Sequence, residues 1–203
     1  MLVVGLAGGS GSGKGAVSDL FAKRGFAVVD TDAVYRELTA GSSPCLIELA
    51  REFGEEIISS DGSLDRGRLA DLVFSGEGRE LRRARLNAIA HRHILDETRR
   101  RLDAFRTQGY PAAIVDAPLL FESGFDMECD ITVCVIATSD IRISRIIARD
   151  GITPEAAERR IAAQIPSEEL SRRCTYTLEN NRDFEALSKS VDTIAKKILD
   201  IRG

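Results

Sequence analysis

Tryptophan is absent from the 203-residue sequence, and aromatic residues make up only 5% of it. Proteins that bind single-stranded nucleic acid stack the bases on aromatic side chains, so this composition argues against such a platform. The net charge is only −4, which gives no strong positive field to attract nucleic acid or an anionic membrane. We therefore expect no nucleic-acid or membrane partner, and any anionic ligand must be bound by local groups.

Cysteines are few, and long apolar runs are missing. Cys45, Cys129, Cys134 and Cys174 are scattered without CxxC spacing, which fits neither a zinc site nor a disulfide framework. No run approaches the roughly 18 apolar residues that a membrane-spanning helix needs. The apolar run at residues 2–7 lacks a basic leader, so it is interpreted as a buried strand rather than a signal peptide. These features predict a cytoplasmic protein.

Short apolar, β-branched runs recur along the chain and are separated by stretches with helical spacing. They occupy residues 2–7, 26–29, 112–115, 131–136 and 176–178. This alternation predicts an α/β fold with a parallel five-stranded sheet flanked by helices. Ligands bind at the carboxyl ends of the strands in such folds, so the residues that follow each run are the candidates for function.

Two stretches are too long to be simple crossovers between strands. Residues 44–109 have the pattern of several helices, with Ser43 and Asp65 as plausible N-caps. Residues 138–173 form a second, arginine-rich helical stretch, which by its position after a strand suits a mobile lid. Residues 183–201 have the spacing of a closing amphipathic helix.

A glycine-rich segment at residues 8–14 follows the first predicted strand and opens a predicted helix. This is the context that the phosphate-binding GxxxxGK pattern requires, because the glycines let backbone N–H groups turn onto a polyphosphate. Lys14 would reach the β- and γ-phosphates, so the segment predicts ATP binding. The candidate nucleotide-binding residues are Gly9, Ser10, Gly11, Ser12, Gly13, Lys14, Gly15 and Ala16.

The pattern departs from the usual one at its last position. A Ser or Thr there normally holds Mg²⁺ with its hydroxyl, but Gly15 occupies that position and Ala16 follows it. A water could fill the gap, and Ser12 or Asp116 could help, with Asp116 acting through water. The alternative is a protein that binds nucleotide but turns it over poorly.

Carboxylates follow the second predicted strand, where an acceptor hydroxyl would face the γ-phosphate. Asp30 and Asp32 are both candidates to accept the hydroxyl proton, and Asp32 is favoured. The alternative role for Asp32 is an N-cap for a helix from Ala33 to Leu38, and Asp32 could fill both roles.

Other candidate site residues follow the later strands or lie in the helical stretches. Asp116 ends the third strand, and Pro118, Leu119 and Leu120 would form a rigid wall beside the acceptor. His91 could contact the acceptor or pack at a helix junction. Asn180 follows the last strand and could border the adenine pocket, although a turn explains it equally well.

Arginines in the predicted lid could stabilise the charge that develops during phosphoryl transfer. Arg142, Arg145 and Arg149 are spaced i, i+3 and i+7, which puts them on one helix face. Arg145 and Arg149 are favoured as catalytic residues, together with Lys14 and Asp32. The alternative is a solvated face that pairs with Asp140 and Asp150.

Five segments of the chain carry a recognisable pattern. They are Gly-Leu-Ala-Gly-Gly-Ser-Gly-Ser-Gly-Lys at 5–14, Val-Asp-Thr-Asp at 29–32, Leu-Asn-Ala-Ile-Ala-His at 86–91, Asp-Ala-Pro-Leu-Leu-Phe-Glu at 116–122 and Arg-Ile-Ala-Ala-Gln at 160–164. In this order, over nearly the whole chain, they resemble the dephospho-CoA kinase family. The resemblance implies ATP-dependent phosphorylation of the ribose 3′-hydroxyl of dephospho-CoA, with Asp32 as the base.

The resemblance also implies a fold and its divisions. It implies a single P-loop NTPase domain over residues 1–203, similar to nucleoside-monophosphate kinases. The core would comprise residues 1–60, 107–138 and 171–203, with a helical substrate subdomain at 61–106 and a lid at 139–170.

The chain departs from the family's pattern at several positions besides Gly15 and Ala16. Arg92 replaces the usual proline after the histidine, Arg142 replaces an expected glutamine, and Cys174 with Thr175 replace an Ala-Asp pair. These departures bear on rate and metal dependence rather than on fold. A P-loop kinase for another small acceptor is the second alternative to the function that the resemblance implies.

Overall fold

The centre of the fold is a parallel sheet of five strands, seen in a computed structural model that describes residues 1–201. The strands lie side by side in the order β2-β3-β1-β4-β5. Their bounds are β1 (Leu2–Gly8), β2 (Ala27–Asp30), β3 (Ala112–Asp116), β4 (Ile131–Ile136) and β5 (Tyr176–Glu179). The predicted α/β class and five-stranded parallel sheet are confirmed, with β2 displaced by one residue from its predicted position.

The middle strands are apolar on both faces because helices cover both faces of a parallel sheet. Every residue of β3 is buried, and so are the five central residues of β1. Register pairs Leu6 of β1 with Asp116 of β3, and Asp30 of β2 also pairs with Asp116. The carboxyl ends of these three strands therefore meet at one edge of the sheet.

The helices account for both long stretches between strands. They are α1 (Lys14–Ala22), α2 (Thr31–Leu38), α3 (Pro44–Phe53), α4 (Arg66–Phe74), α5 (Arg79–Thr107), α6 (Ser139–Asp150), α7 (Pro154–Ala162), α8 (Ser167–Arg173) and α9 (Phe184–Asp200). Ser43 and Asp65 cap α3 and α4 as predicted, since their side-chain oxygens accept the backbone N–H groups of Leu46 and Arg68. None of the helices described is both long and apolar enough to cross a bilayer.

The chain divides into two compact units. One contains Met1–Asp30 and the chain from Leu102 onward; the other is Thr31–Arg101. In the first, the apolar side chains of α1 and α9 pack on the sheet to form the main core. In the second, α3, α4 and their connection share a separate core that includes Leu49 and Val73.

The sequence predicts a substrate subdomain at 61–106 and a lid at 139–170. These assignments stay predictions, because a division into compact units does not show what each unit does. Residues 202 and 203, the end of the predicted 171–203 core segment, lie outside the described residues.

Candidate active site

The glycine-rich loop joins β1 directly to α1, as its sequence predicts. Gly11 and Gly13 have φ angles of 77° and 92°, which side chains with a Cβ rarely adopt. The N–H of Ser12 donates to the carbonyl of Gly9 across the turn, at 3.1 Å. Helix α1 begins at Lys14, so the loop ends at the positive end of a helix. Such an arrangement binds phosphate groups.

Lys14 forms an ion pair with Asp116 at the carboxyl end of β3. The lysine side chain is 16% exposed and the aspartate side chain 9% exposed, so both charges lie in a largely enclosed place. An ammonium group is thereby fixed next to a carboxylate at the edge of the sheet where the loop begins. This combination can bind a phosphate and a cation next to each other.

Arg145 of α6 contacts the loop. Its guanidinium donates to the carbonyls of Gly11 (3.3 Å) and Ser12 (3.4 Å), and also to the carbonyl of Asn180 (3.2 Å). Asn180 is 6% exposed, and its amide donates to the carbonyl of Ser12 at 2.8 Å. Both side chains therefore hold carbonyls of the loop and help to fix its conformation. The structure brings these two predicted site residues to the loop.

Arg142 lies one turn before Arg145 and contacts the loop at Ser10. Its Nε donates to the carbonyl of Ser10 at 2.9 Å, and one Nη donates to Oε1 of Gln164 at 2.7 Å. Gln164 in turn accepts the N–H of Ser10 at 3.0 Å and donates to its Oγ at 3.1 Å. Every polar group of Ser10 is thus engaged by one of these two side chains.

Arg149 lies at the exposed end of α6. Its guanidinium donates to both carboxylate oxygens of Asp150, at 2.8 and 3.0 Å, and Arg160 also pairs with Asp150. The hydrogen bonds from Arg149, reinforced by those from Arg160, lower the pKa of Asp150 to about 2. In this structure Arg149 therefore pairs with a carboxylate at the protein surface. This is the alternative to a catalytic role that its sequence left open.

Asp32 and His91 lie in the second compact unit. Helix α2 begins at Thr31, so Asp32 lies in its first turn and is exposed. The alternative role of Asp32 as an N-cap is therefore wrong, because the backbone turns helical one residue before it. A carboxylate in a first turn is still favoured by the helix dipole. His91 lies on α5 and is half-buried.

The predicted substrate wall borders the first glycines of the loop. Pro118, Leu119 and Leu120 line a cleft together with Gly8 and Gly9. Pro118 is exposed and Leu119 is 44% exposed, whereas Leu120 is 1% exposed. Only the first two can offer much side-chain surface to a ligand.

The loop leaves room for a metal-binding side chain at its last position. Apart from its chain neighbours and the backbone of its own helix, a Cβ added at Gly15 has no atom of the described chain within 4 Å. The Oγ of Ser12 is buried and has no hydrogen-bond partner in the part of the chain described. Mg²⁺ prefers oxygen ligands and keeps several waters, so the Asp116 carboxylate with phosphate oxygens is a suitable set. The residues present therefore fit Mg²⁺ held by Asp116 through water.

The sequence alone indicates no role for Gln164. It lies 154 residues from Ser10 along the chain, so no local pattern links the two. The one available signal was its place in the Arg-Ile-Ala-Ala-Gln segment of the family pattern.

A glycine-rich loop between a parallel strand and a helix, with a lysine and an aspartate at the same sheet edge, is typical of the P-loop class of nucleotide-binding proteins. The family model for dephospho-CoA kinase matches residues 2–185. The chain is 38% identical to a dephospho-CoA kinase from Corynebacterium glutamicum over 199 residues, which cover 98% of each chain. The chain belongs to the dephospho-CoA kinase family.

Solved structures have the same fold. TT1252 from Thermus thermophilus is 32% identical, with a TM-score of 0.77 and 97% of each chain covered. Dephospho-CoA kinase from Campylobacter jejuni has a TM-score of 0.73 over 99% of this chain and 98% of its own. Its identity is 18%, so that likeness shows the fold alone.

Proposed function

We propose that this protein transfers the γ-phosphoryl group of ATP to the ribose 3′-hydroxyl of dephospho-CoA, giving coenzyme A and ADP. Membership of the dephospho-CoA kinase family over nearly the whole chain carries this proposal. The family implies ATP as the phosphate donor and dephospho-CoA as the acceptor. The strand, glycine loop and helix at residues 2–22 supply the phosphate site that this reaction needs.

In the proposed reaction the loop holds the β- and γ-phosphates by backbone N–H groups, and Lys14 neutralises their charge. The 3′-oxygen of the acceptor forms a bond to the γ-phosphorus while the bond between that phosphorus and the bridging oxygen of ADP breaks. Asp32 orients the hydroxyl and takes its proton. The exposed position of Asp32 in the first turn of α2 leaves its carboxylate accessible to a substrate.

The remaining site residues are assigned roles around this step. Arg145 fixes the loop and adds positive charge. When the lid at residues 139–170 closes, Arg149 leaves Asp150 and pairs with the nucleotide instead. Asp116 would hold Mg²⁺ through water, and the bound metal would neutralise charge that develops on the phosphate oxygens.

The acceptor side of the proposal involves different elements. Pro118, Leu119 and Leu120 border the acceptor, and His91 of the 61–106 substrate subdomain contacts it. Asn180 lies beside the nucleotide because its amide is hydrogen-bonded to the loop. A cytoplasmic location also belongs to the proposal, on the strength of the cysteine pattern.

The test is ADP release from MgATP, coupled to NADH oxidation, with and without dephospho-CoA. The proposal predicts turnover that depends on dephospho-CoA and saturates with it. Nucleotide binding without such turnover would instead support a binding protein impaired at Gly15. Turnover with adenosine or a nucleoside monophosphate, but not with dephospho-CoA, would support a kinase for another acceptor.

A further inference from the structure

The guanidinium of Arg142 is buried against the phosphate loop. The residue is only 5% exposed, and its backbone passes so close to Gly11 that a Cβ there would collide with it. A Cβ at Gly9 would likewise collide with the guanidinium. The charge of Arg142 therefore lies directly on the loop and has little access to water.

The hydrogen-bond partners of this cation are neutral. They are the carbonyl of Ser10 and the side-chain oxygen of Gln164, and Arg142 forms no ion pair with a carboxylate within residues 1–201. The exposed Arg149, by comparison, has Asp150. Burial lowers the pKa of the Arg142 guanidinium below its ordinary value. A buried charge without a counter-charge is costly, so its presence here calls for an anion.

The polyphosphate of a nucleotide is the anion that the loop is built to bind. The loop lacks the hydroxyl that usually helps to hold Mg²⁺, because Gly15 occupies that position. A cation supplied by the protein can offset phosphate charge that the metal would otherwise neutralise. Arg142 also fixes the loop through Ser10, which Gln164 holds by its N–H and its Oγ.

We propose that Arg142 is a positioning residue whose buried cation has the nucleotide polyphosphate as its counter-charge and keeps nucleotide bound when Mg²⁺ is scarce. It acts through the Ser10 segment of the loop and through its charge, and it need not touch the reacting atoms. The inference rests on the ATP-binding part of the proposed function and not on the identity of the acceptor.

The experiment is calorimetric titration of the full chain with ATP, once with excess Mg²⁺ and once with EDTA. Arg142→Gln keeps a hydrogen-bonding side chain without the charge, and Arg142→Lys keeps the charge. Arg159→Gln is the control, since it removes an exposed cation from α7. In EDTA we expect Arg142→Gln to weaken ATP binding about 10-fold or more, because a buried positive charge close to the polyphosphate is lost. Arg142→Lys and Arg159→Gln should stay within about threefold of the unmodified protein.

The metal provides the second comparison. With excess Mg²⁺ the loss in Arg142→Gln should shrink, because the metal supplies the missing positive charge. A merely structural role would weaken binding equally in Mg²⁺ and in EDTA, and equally in the Lys and Gln variants; that result would overturn the inference. Unchanged ATP affinity of Arg142→Gln in EDTA would also overturn it.

Melting temperatures separate this role from a folding defect. Without nucleotide, Arg142→Gln should melt at the same or a higher temperature, because a buried charge has been removed. Its gain in melting temperature on adding ATP should be smaller than that of the unmodified protein. A lower melting temperature without nucleotide would contradict the account. A failure of dephospho-CoA turnover would leave these binding results standing, so the two proposals fail separately.

Discussion

At the scale of single residues, the assignment of Asp32 as the base makes a sharp prediction. Asp32→Asn keeps the size and polarity of the side chain but cannot accept the hydroxyl proton. We expect kcat to fall at least about 100-fold, the lower end of a general-base contribution, with little change in the KM for ATP. Steady-state ADP release in the presence of dephospho-CoA measures both quantities.

A matched control for Asp32 lies on the same helix. Glu37 is an exposed carboxylate of α2 that pairs with Arg101. Glu37→Gln should leave kcat unchanged within about twofold, since an exposed ion pair contributes little. Equal rates for Asp32→Asn and the unmodified protein would remove Asp32 from the mechanism.

Gly15 tests how the metal is held. Because nothing surrounds the position of its Cβ, Gly15→Ser introduces a hydroxyl without a clash. We expect the Mg²⁺ concentration for half-maximal activity to fall several-fold, since the added oxygen is a ligand that Mg²⁺ prefers. Gly15→Ala adds the Cβ without the hydroxyl and should behave like the unmodified protein. An identical Mg²⁺ dependence in the Ser and Ala variants would mean that the hydroxyl does not reach the metal.

At the scale of elements, Gln164 lies in the connection between α7 and α8 and links it to the loop by hydrogen bonds to Ser10. Gln164→Leu leaves the Ser10 N–H and one Nη of the buried Arg142 without an acceptor, at a cost of about 1–3 kcal/mol for each group. We expect kcat/KM for ATP to fall roughly 10-fold. Gln108→Leu, at an exposed position after α5, is the control and should change nothing measurable. A loss in melting temperature without a loss in kcat/KM would argue against a role in nucleotide binding.

Helix α5 carries a carboxylate whose charge stabilises the folded state. Hydrogen bonds from Arg100, and then from Arg101, lower the pKa of Glu97 from 4.5 to about 2, although burial opposes this. The stabilisation is fully present above the unfolded pKa near 4.5. It is lost as the pH falls towards 2, because the folded and unfolded states then bind the same proton.

Glu97→Gln should therefore lower the free energy of unfolding at pH 7, and the difference from the unmodified protein should shrink between pH 5 and pH 2. Urea denaturation over this range measures it. Glu80→Gln, at an exposed carboxylate of α5 without an ion pair in residues 1–201, should show no such dependence. A difference independent of pH would rule out the charge of Glu97 as the cause.

The elements that the sequence predicts well are those fixed by local patterns. Strands β1, β3, β4 and β5 follow from short apolar runs, and the caps Ser43 and Asp65 follow from hydrogen bonds within one turn. The loop at residues 8–14 is equally local, because its glycines, lysine and flanking elements are contiguous.

Contacts between distant parts of the chain could not be predicted in this way. Nothing local indicates that Arg142 is buried on Ser10, 132 residues away. The same holds for Cys134 of β4 and Thr177 of β5, which are 43 residues apart in the chain. The thiol of Cys134 lies 3.3 Å from the hydroxyl of Thr177 because β4 and β5 are neighbours in the sheet. Asp32 is a different case. The sequence predicts the helix next to it, but whether Asp32 precedes that helix or lies in its first turn depends on where the backbone becomes helical.

At the scale of the whole molecule, the sheet order explains why the site residues meet. Strands β2, β3 and β1 are neighbours, so Asp30, Asp116 and the start of the glycine loop come to one edge of the sheet. Helix α6 and the residue after β5 then contribute Arg145 and Asn180 to the same loop. Residues from five separate stretches of sequence thus come together around the loop, which agrees with the family to which the chain belongs.

The central claim is that the γ-phosphoryl group reaches the ribose 3′-hydroxyl of dephospho-CoA. The most direct measurement is to incubate the protein with MgATP and dephospho-CoA, isolate the product and locate the new phosphate by ³¹P NMR and mass spectrometry. We predict one added phosphate, as a monoester on the ribose 3′-oxygen, and no product from an acceptor that lacks this hydroxyl. Phosphate on another atom, or inorganic phosphate as the sole product, would contradict the account.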